Sequence, residues 1–567
     1  MDQNHVDQAY AEELFLWIYK GPDEEQRKQK LQELANAFDK DAKTVLEAVH
    51  SVATKENLYP QEPSFLVPED AAPTWTNCIG EQPCVPLQYK YPASLSDLVN
   101  IVHDAASQNP KVPVRAIGSG HSFSDITDSQ GAILVDPSRN LKQVLTVDPS
   151  ILHPGADAPN TIRAQCGIKV AALNQELDAR NLGLINMGAY DGQTISGALS
   201  TGTHGSGKNF GPMADFLLSI VLVTESGKVY QIEPSPDLAI TNPAKFPGHL
   251  PEAPDIPVEL KQDNTWFNAA KVAMGCLGLI YSYALRVQPA FSISEVRSMT
   301  TWEDVKPHLS SFLDGIDHFE LMINPYADDD NKHKCVKVER TRKPLTAPRG
   351  YRLCGPWQWV EDQGVHHSQA MVTLLNFAHS LWFTRFIINQ ALGFLPDMDP
   401  PYVDVSHKVL TLGVENTAKA WALEMHFNGE KDCVGTIDSV LAAFERLWEE
   451  QGYFIGGPLG IRFVKASDAL IAPQAGRFTC TVECDMLYGI NHARKLLGEI
   501  KRAICDQSSL PGNDSIRVHW GLDWGYTTAE DVRKWYPDLG KWQAVYQEVN
   551  PGGMFDNEFT KRLRLRE

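Results

Sequence analysis

The sequence predicts a large mixed fold of helices and strands, and three observations carry that reading. Helical periodicity fills the start, short apolar strands alternate with helices through the middle, and strands mix with longer helices afterwards. In order, Asp7–Tyr19 carries one apolar face, and Gly21-Pro22 breaks it. Asp23 can cap a second helix through Leu31, Leu34 and Phe38, and a third from Asp41 spaces Val45, Leu46 and Val49 helically. Tyr59–Pro73 holds four prolines and reads as a linker. The strand–helix alternation runs from Trp75 to about Pro289. From Phe291 to about Cys505, the strands are Phe319–Ile323, Trp421–Phe427, Ile461–Val464 and Phe478–Met486, with helices such as Thr436–Gln451. The sequence holds no internal repeats.

Composition narrows the partners. The 567 residues include 51 Lys plus Arg against 71 Asp plus Glu, a formal charge of −20. So acidic a surface repels phosphate backbones and argues against nucleic acid, while backbone N–H groups can still hold small anions. Hydrophobic residues at 43% exclude a disordered or collagen-like chain. The ten cysteines give no disulfide framework and no metal knuckle; Cys78 with Cys84, or Cys480 with Cys484, can be imagined as pairs, but buried free thiols are the reading adopted. The N-terminus lacks a signal peptide, and Asn376, His379, Arg385, Asn389 and Gln390 interrupt the apolar stretch Met371–Leu395. The expectation is a cytoplasmic protein without a membrane span; its oligomeric state is not legible.

Chemistry concentrates in glycine-hydroxyl loops. The strand Val112–Ile117 runs into Gly118-Ser119-Gly120-His121-Ser122, where glycines let backbone N–H groups turn inward as an anion nest. A tight strand-to-loop turn is the plainer alternative for that loop alone. It is not the Rossmann G-x-G-x-x-G arrangement. The run Gln193–Gly207 accumulates Gly, Ser and Thr, and Gly275-Cys276-Leu277-Gly278 precedes another apolar strand. Phosphates and a flat ring are the guests that such close backbone approach suits.

Together these segments resemble the flavin-binding domain of the vanillyl-alcohol oxidase superfamily. Leu459–Pro473, His519-Trp520-Gly521 and the ending Val549–Arg564 resemble its aldonolactone and alditol oxidase branch, although the segment from His519 is also similar to sterol oxidases. The resemblance implies an α+β fold: an FAD-binding domain over 75–290, a substrate-binding cap of antiparallel sheet with covering helices over 291–505, and a segment 506–567 returning to the FAD domain. Residues 1–74 are left as a helical leader and linker. It assigns FAD to Ala116, Ile117, Gly118, Ser119, Gly120, His121 and Ser122, to Thr194, Gly197, Thr201, Gly202, Thr203 and His204, and to Ile280.

His121 stands where oxidases of this type attach flavin through an 8α-histidyl bond, and a neutral imidazole is a suitable nucleophile. His204 is read as orienting loop carbonyls and cofactor. Glu424 and His426 share one face of their strand, which is either the flavin side or the outer surface. Arg462 can stabilise reduced flavin or an alkoxide, or else pair with a cap carboxylate; His519 or His426 can take the proton. Two departures bear on substrate. The branch's Glu-x-Arg is Gly460-Ile461-Arg462 here, and its His-Trp-x-Lys ends in Leu522. Loss of that carboxylate and cation argues against a sugar lactone held by a dense polar network and for a bulkier apolar alcohol. The resemblance implies a sugar-like alcohol or lactone, so the substrate stays open between the two. The implied function is an FAD-dependent oxidase taking hydride from a CH–OH group and passing electrons to O2, giving H2O2. A dehydrogenase with another acceptor and a flavin binder with a degenerate cap are the alternatives.

Overall fold

In the computed structural model, the described residues are 74–350, 381–393, 400–411, 420–487, 489–490, 493–505, 516–522, 525 and 527–567. The helices expected over 7–49 and the linker at 59–73 lie outside them, as do 371–380 and 394–395 of the apolar stretch. The first half begins with a parallel three-stranded sheet, Ile133–Val135 between Gln88–Lys90 and Val114–Ala116. Helix Leu95–Ser107 turns one face inward, toward the strand Leu279–Arg286, because Leu95, Leu98, Ile101, Val102 and Ala105 recur at helical spacing and are buried. Ser94 caps that helix by accepting from the Asp97 amide.

A six-stranded sheet follows, in the order Val144–Leu145, Thr161–Gln165, Leu279–Arg286, Leu217–Val223, Val229–Glu233, Val258–Gln262. Its strand Leu217–Val223 is buried throughout, an apolar run interrupted only by Ser219. Gly278 enters the neighbouring strand at φ +152°, where a Cβ would strike the Val223 carbonyl, so only glycine fits.

The second half is built on eight antiparallel strands, ordered Tyr402–Val405, Phe291–Thr301, Lys334–Pro344, His318–Ile323, Leu459–Val464, Thr479–Leu487, Ala420–Asn428, Arg517–Val518. The expected strands fall within a residue or two of these. The helix expected from Thr436 starts instead at Cys433, because Asp432 accepts from the Gly435 amide and caps it there. Helices Cys433–Gln451 and Ala493–Cys505 pack against each other and on the sheet. Helix Leu381–Gly393, the described part of the apolar stretch, buries Phe386, Ile387, Ile388 and Leu392, while Arg385 pairs with Asp329 at 2.7 Å. No described helix is long and apolar enough to cross a membrane.

The end of the chain closes the first half. The Val114 amide donates to the Met554 carbonyl at 2.8 Å, and the Asn557 side-chain amide donates to the Ile126 and Asp128 carbonyls. Buried Arg115 donates to Phe555, Met274 and Ile126 carbonyls, joining three separate segments. Cys78, Cys84, Cys166, Cys276, Cys335, Cys433, Cys480 and Cys484 are free thiols.

Candidate active site

A cleft opens beside the two glycine-rich loops. Ala116, Ile117, Gly118, Ser119, Gly120, His121 and Ser122 line it, facing Thr194, Gly197 and Thr201, with Ile280, His519 and Leu522 also on its wall. Gly120 takes φ +69°, which turns the loop inward. The amides of Gly118 through Ser122 donate to no acceptor among the described residues. Five successive unsatisfied N–H groups beside small side chains form a cradle for a pyrophosphate, so these residues fit a dinucleotide such as FAD. Gly202, Thr203 and His204 stand behind that wall. Gly202 ends helix Ile195–Thr201 in the left-handed region, buried Thr203 approaches Gln193 at 3.5 Å, and His204 turns to the eight-stranded sheet.

His121 projects into the cleft with its ring 3.9 Å from that of Tyr190 and its Nδ1 4.0 Å from the Cys78 sulfur. Burial, with a smaller contribution from Lys169, lowers its pKa to about 4, so the imidazole is neutral at ordinary pH. A neutral ring keeps a lone pair for a nucleophilic role.

One face of the eight-stranded sheet carries a run of charges toward this region. Arg297 and Arg340 grip Glu295 at 3.0 and 2.6 Å; Arg340 and Arg462 grip Glu320 at 2.8 and 3.0 Å. Arg462 Nη1 also donates to Glu483 and lies 3.8 Å from Glu424. Glu424 Oε2 then sits 3.2 Å from His204 Nε2 and 3.3 Å from His426 Nε2. Glu424 and His426 thus face inward, resolving the choice their alternation left open. Burial alone would raise the Glu424 pKa, but His204 and then His426 outweigh it and hold it well below the usual range. Burial likewise opposes protonation of His204, yet Glu424 raises its pKa, and the Gly205 carbonyl accepts from Nδ1 at 2.9 Å.

Two histidines are poorly placed to take a proton. His426 is fully buried with its pKa lowered to about 4, chiefly by burial. His519 Nδ1 accepts from the Gly521 amide at 3.1 Å, which puts the ring hydrogen on Nε2 and makes that nitrogen a donor. Burial lowers the His519 pKa to about 3.

The geometry corrects the expectation of an apolar pocket. Gly460 brings no carboxylate, but Glu483, Glu424 and Glu320 arrive from three neighbouring strands and meet Arg462. Leu522 does line the cleft as an apolar side chain. Glu320 and Glu483 escaped the sequence reading, although a signal existed. In Thr479–Leu487, the residues Cys480, Val482, Cys484 and Met486 are buried and apolar, leaving Glu483 in the opposite phase, as Glu424 is in its own strand.

Residues 86–233 match the FAD binding domain family, and 284–563 match the D-arabinono-1,4-lactone oxidase family. L-gulono-1,4-lactone dehydrogenase of Mycobacterium tuberculosis is 27% identical, over 87% of this chain and 99% of its own. L-gulonolactone oxidase of Bos taurus is 24% identical over 86% and 97%. Among solved structures, cholesterol oxidase from B. sterolicum superposes with a TM-score of 0.62 at 14% identity, covering 86% of this chain and 96% of that one. At that identity, the likeness concerns the fold.

Proposed function

We propose a function on the premise that the chain belongs to the vanillyl-alcohol oxidase superfamily, with an FAD-binding half followed by an aldonolactone oxidase half. The chain is an FAD-linked oxidoreductase acting on CH–OH donors, and its substrate is a polyhydroxylated lactone or closely related sugar alcohol. The carrying observation is the charged face at Arg462. Arg462 and Glu483 keep some exposure and offer a donor and an acceptor to hydroxyl groups, while the more deeply buried Glu320 and Glu424 hold the arginine from behind. A site with buried polar partners selects hydroxyls, because an apolar molecule would leave those partners unsatisfied.

FAD would be held by the amides of Gly118–Ser122 and the hydroxyl loop at Thr194–Thr201, with His121 as its covalent attachment. When bound, it accepts the hydride from the substrate carbon and yields the electrons to O2. His519 lines the cleft, its Nδ1 held by the Gly521 amide that donates to it. The His204–Glu424 pair ties the loop behind the cofactor to the substrate-side sheet, fixing one against the other. Arg462 holds the carboxylates on either side of it.

A second reading, a dehydrogenase using another acceptor, is favoured by the name of the mycobacterial relative. Both are tested by mixing the holoprotein without oxygen with L-gulono-1,4-lactone, D-arabinono-1,4-lactone, alditols and cholesterol. Flavin bleaching by a lactone or alditol, with none by cholesterol, is the expected result; bleaching by cholesterol alone overturns the substrate reading. Oxygen uptake with H2O2 formation then separates oxidase from dehydrogenase.

A further inference from the structure

We propose that Glu483 is the group that contacts the reacting hydroxyl and takes its proton, from the place that Gly460 leaves open on the neighbouring strand. The proposal rests on the oxidative reading above.

Register supplies the first argument. Gly460 and Glu483 are direct partners in the antiparallel pairing, so their side-chain positions adjoin on one face. A Cβ built on Gly460 would lie 3.7 Å from both the Cβ and Oε2 of Glu483. The Glu483 carboxylate therefore lies beside position 460 at ordinary contact distance, and it reaches Arg462 two residues along that strand.

A second argument is an arrangement that stability alone does not favour. Glu483 also lies directly opposite Glu424 on its other side. Like charges facing each other across strands are destabilising, and a mid-strand glycine adds further cost. Arg462 reaches both carboxylates and compensates them. Locally unfavourable choices of this kind concentrate where function requires them.

Elimination supplies the third. Glu424 is 4% exposed and engaged by His204 and His426, while Glu320 is 7% exposed between two arginines. Glu483 is 19% exposed and Arg462 17%, so this carboxylate is more open than Glu424 or Glu320 and, unlike the exposed Asp485 two residues along its strand, is held in place by the Arg462 guanidinium. In the step, the hydroxyl O–H bond breaks and its proton passes to Glu483. The carbon–hydrogen bond breaks with its electron pair passing to oxidised FAD, and the carbon–oxygen bond becomes a carbonyl.

The test uses FAD-loaded wild type, Glu483→Gln, Gly460→Glu and the double variant carrying both changes. Wild type reduced by a lactone should show a low-pH limb in its reduction rate. Glu483→Gln should lose that limb and slow reduction about a hundredfold, the usual scale of a lost general base, with FAD content unchanged. The double variant, with its carboxylate restored from the adjacent strand, should recover at least tenfold. Binding gives a readout independent of turnover: oxidised wild type should bind the substrate at least tenfold more tightly than the analogue lacking the reacting hydroxyl, and Glu483→Gln should lose that preference. Should Glu483→Gln fail to fold, Gly460→Glu carries the test. Its second carboxylate, placed against Glu483 where the hydroxyl would lie, should lower the preference for the reacting hydroxyl at least tenfold, and an unchanged preference overturns the proposal. Glu483→Gln with wild-type rate, pH profile and hydroxyl preference overturns the role of Glu483 while leaving the oxidase reading intact. A wild-type holoprotein that no CH–OH donor reduces overturns both.

Discussion

His204 Nε2 and Glu424 Oε2 lie 3.2 Å apart in the interior, one from the glycine-rich loop of the first half and the other from the eight-stranded sheet. Each is the other's main electrostatic partner, and together they clasp the two halves. The folded His204 pKa is raised above its ordinary 6.5, so the folded protein binds that proton more tightly than the unfolded chain. The stabilisation is fully present below pH 6.5 and is lost as pH rises through the raised folded value. Glu424 has the opposite sense: its contribution is present above about 4.5 and is lost as pH falls through its depressed folded value. Wild type should therefore exceed His204→Gln in melting temperature by most near pH 6, with the gap narrowing toward pH 9. A gap constant over that range would show that the pair does not titrate as described.

Attachment of FAD at His121 makes a separate prediction. Acid-precipitated wild type should stay yellow, and a tryptic peptide containing His121 should carry the FAD mass. His121→Ala should release the flavin to the supernatant while the fold persists. Because burial depresses the His121 pKa to about 4, the ring is already neutral at pH 6. Reconstitution of apoprotein with FAD should show no loss of imidazole reactivity centred on pH 6.5. Wild type that bleaches on precipitation removes the covalent bond from the account.

The cleft residues were legible because their chemistry is local. A loop such as Gly118–Ser122 declares its backbone freedom in its own composition, and the strand Ala420–Asn428 declares its two faces by alternation. The partners of Arg462 were not legible, because they depend on strand register. Glu320 is 142 residues from Arg462 and Glu483 is 21, and only the order of the strands brings both to one guanidinium. Reading position 460 in isolation therefore gave an apolar pocket, when the missing carboxylate stood across the ladder at 483.

Arg115 tests the closure of the first half by the chain's end. Its buried guanidinium satisfies carbonyls of Ile126, Met274 and Phe555, none close to another in sequence. Arg115→Met keeps most of the apolar stem but leaves buried acceptors unpaired, each costing about 1–3 kcal/mol. Unfolding in urea should show a loss of about 3 kcal/mol or more, accompanied by weaker FAD retention, since Arg115 also lines the cleft. A change below about 1 kcal/mol would mean that water replaces these bonds without cost.

Arg462 should prove both functional and structural. Its Nε is committed to Glu320 and its Nη1 to Glu483, with Glu424 at 3.8 Å, so its charge is already balanced by carboxylates. Arg462→Met removes that compensation and leaves three acids close together on one face. Breaking a buried ion pair from one side costs about 3–5 kcal/mol, so the melting temperature should fall clearly, in contrast to the small change expected of an arginine acting on flavin alone. Flavin reduction should also slow by about two orders of magnitude, the cost of one preorganised group. Arg462→Lys separates the two effects. A lysine restores the charge but not the planar fork that engages Glu320 and Glu483 in different directions. It should recover more than half of the lost melting temperature and much less of the lost rate. Equal recovery of both would make the guanidinium a counter-charge, with no part in aiming Glu483.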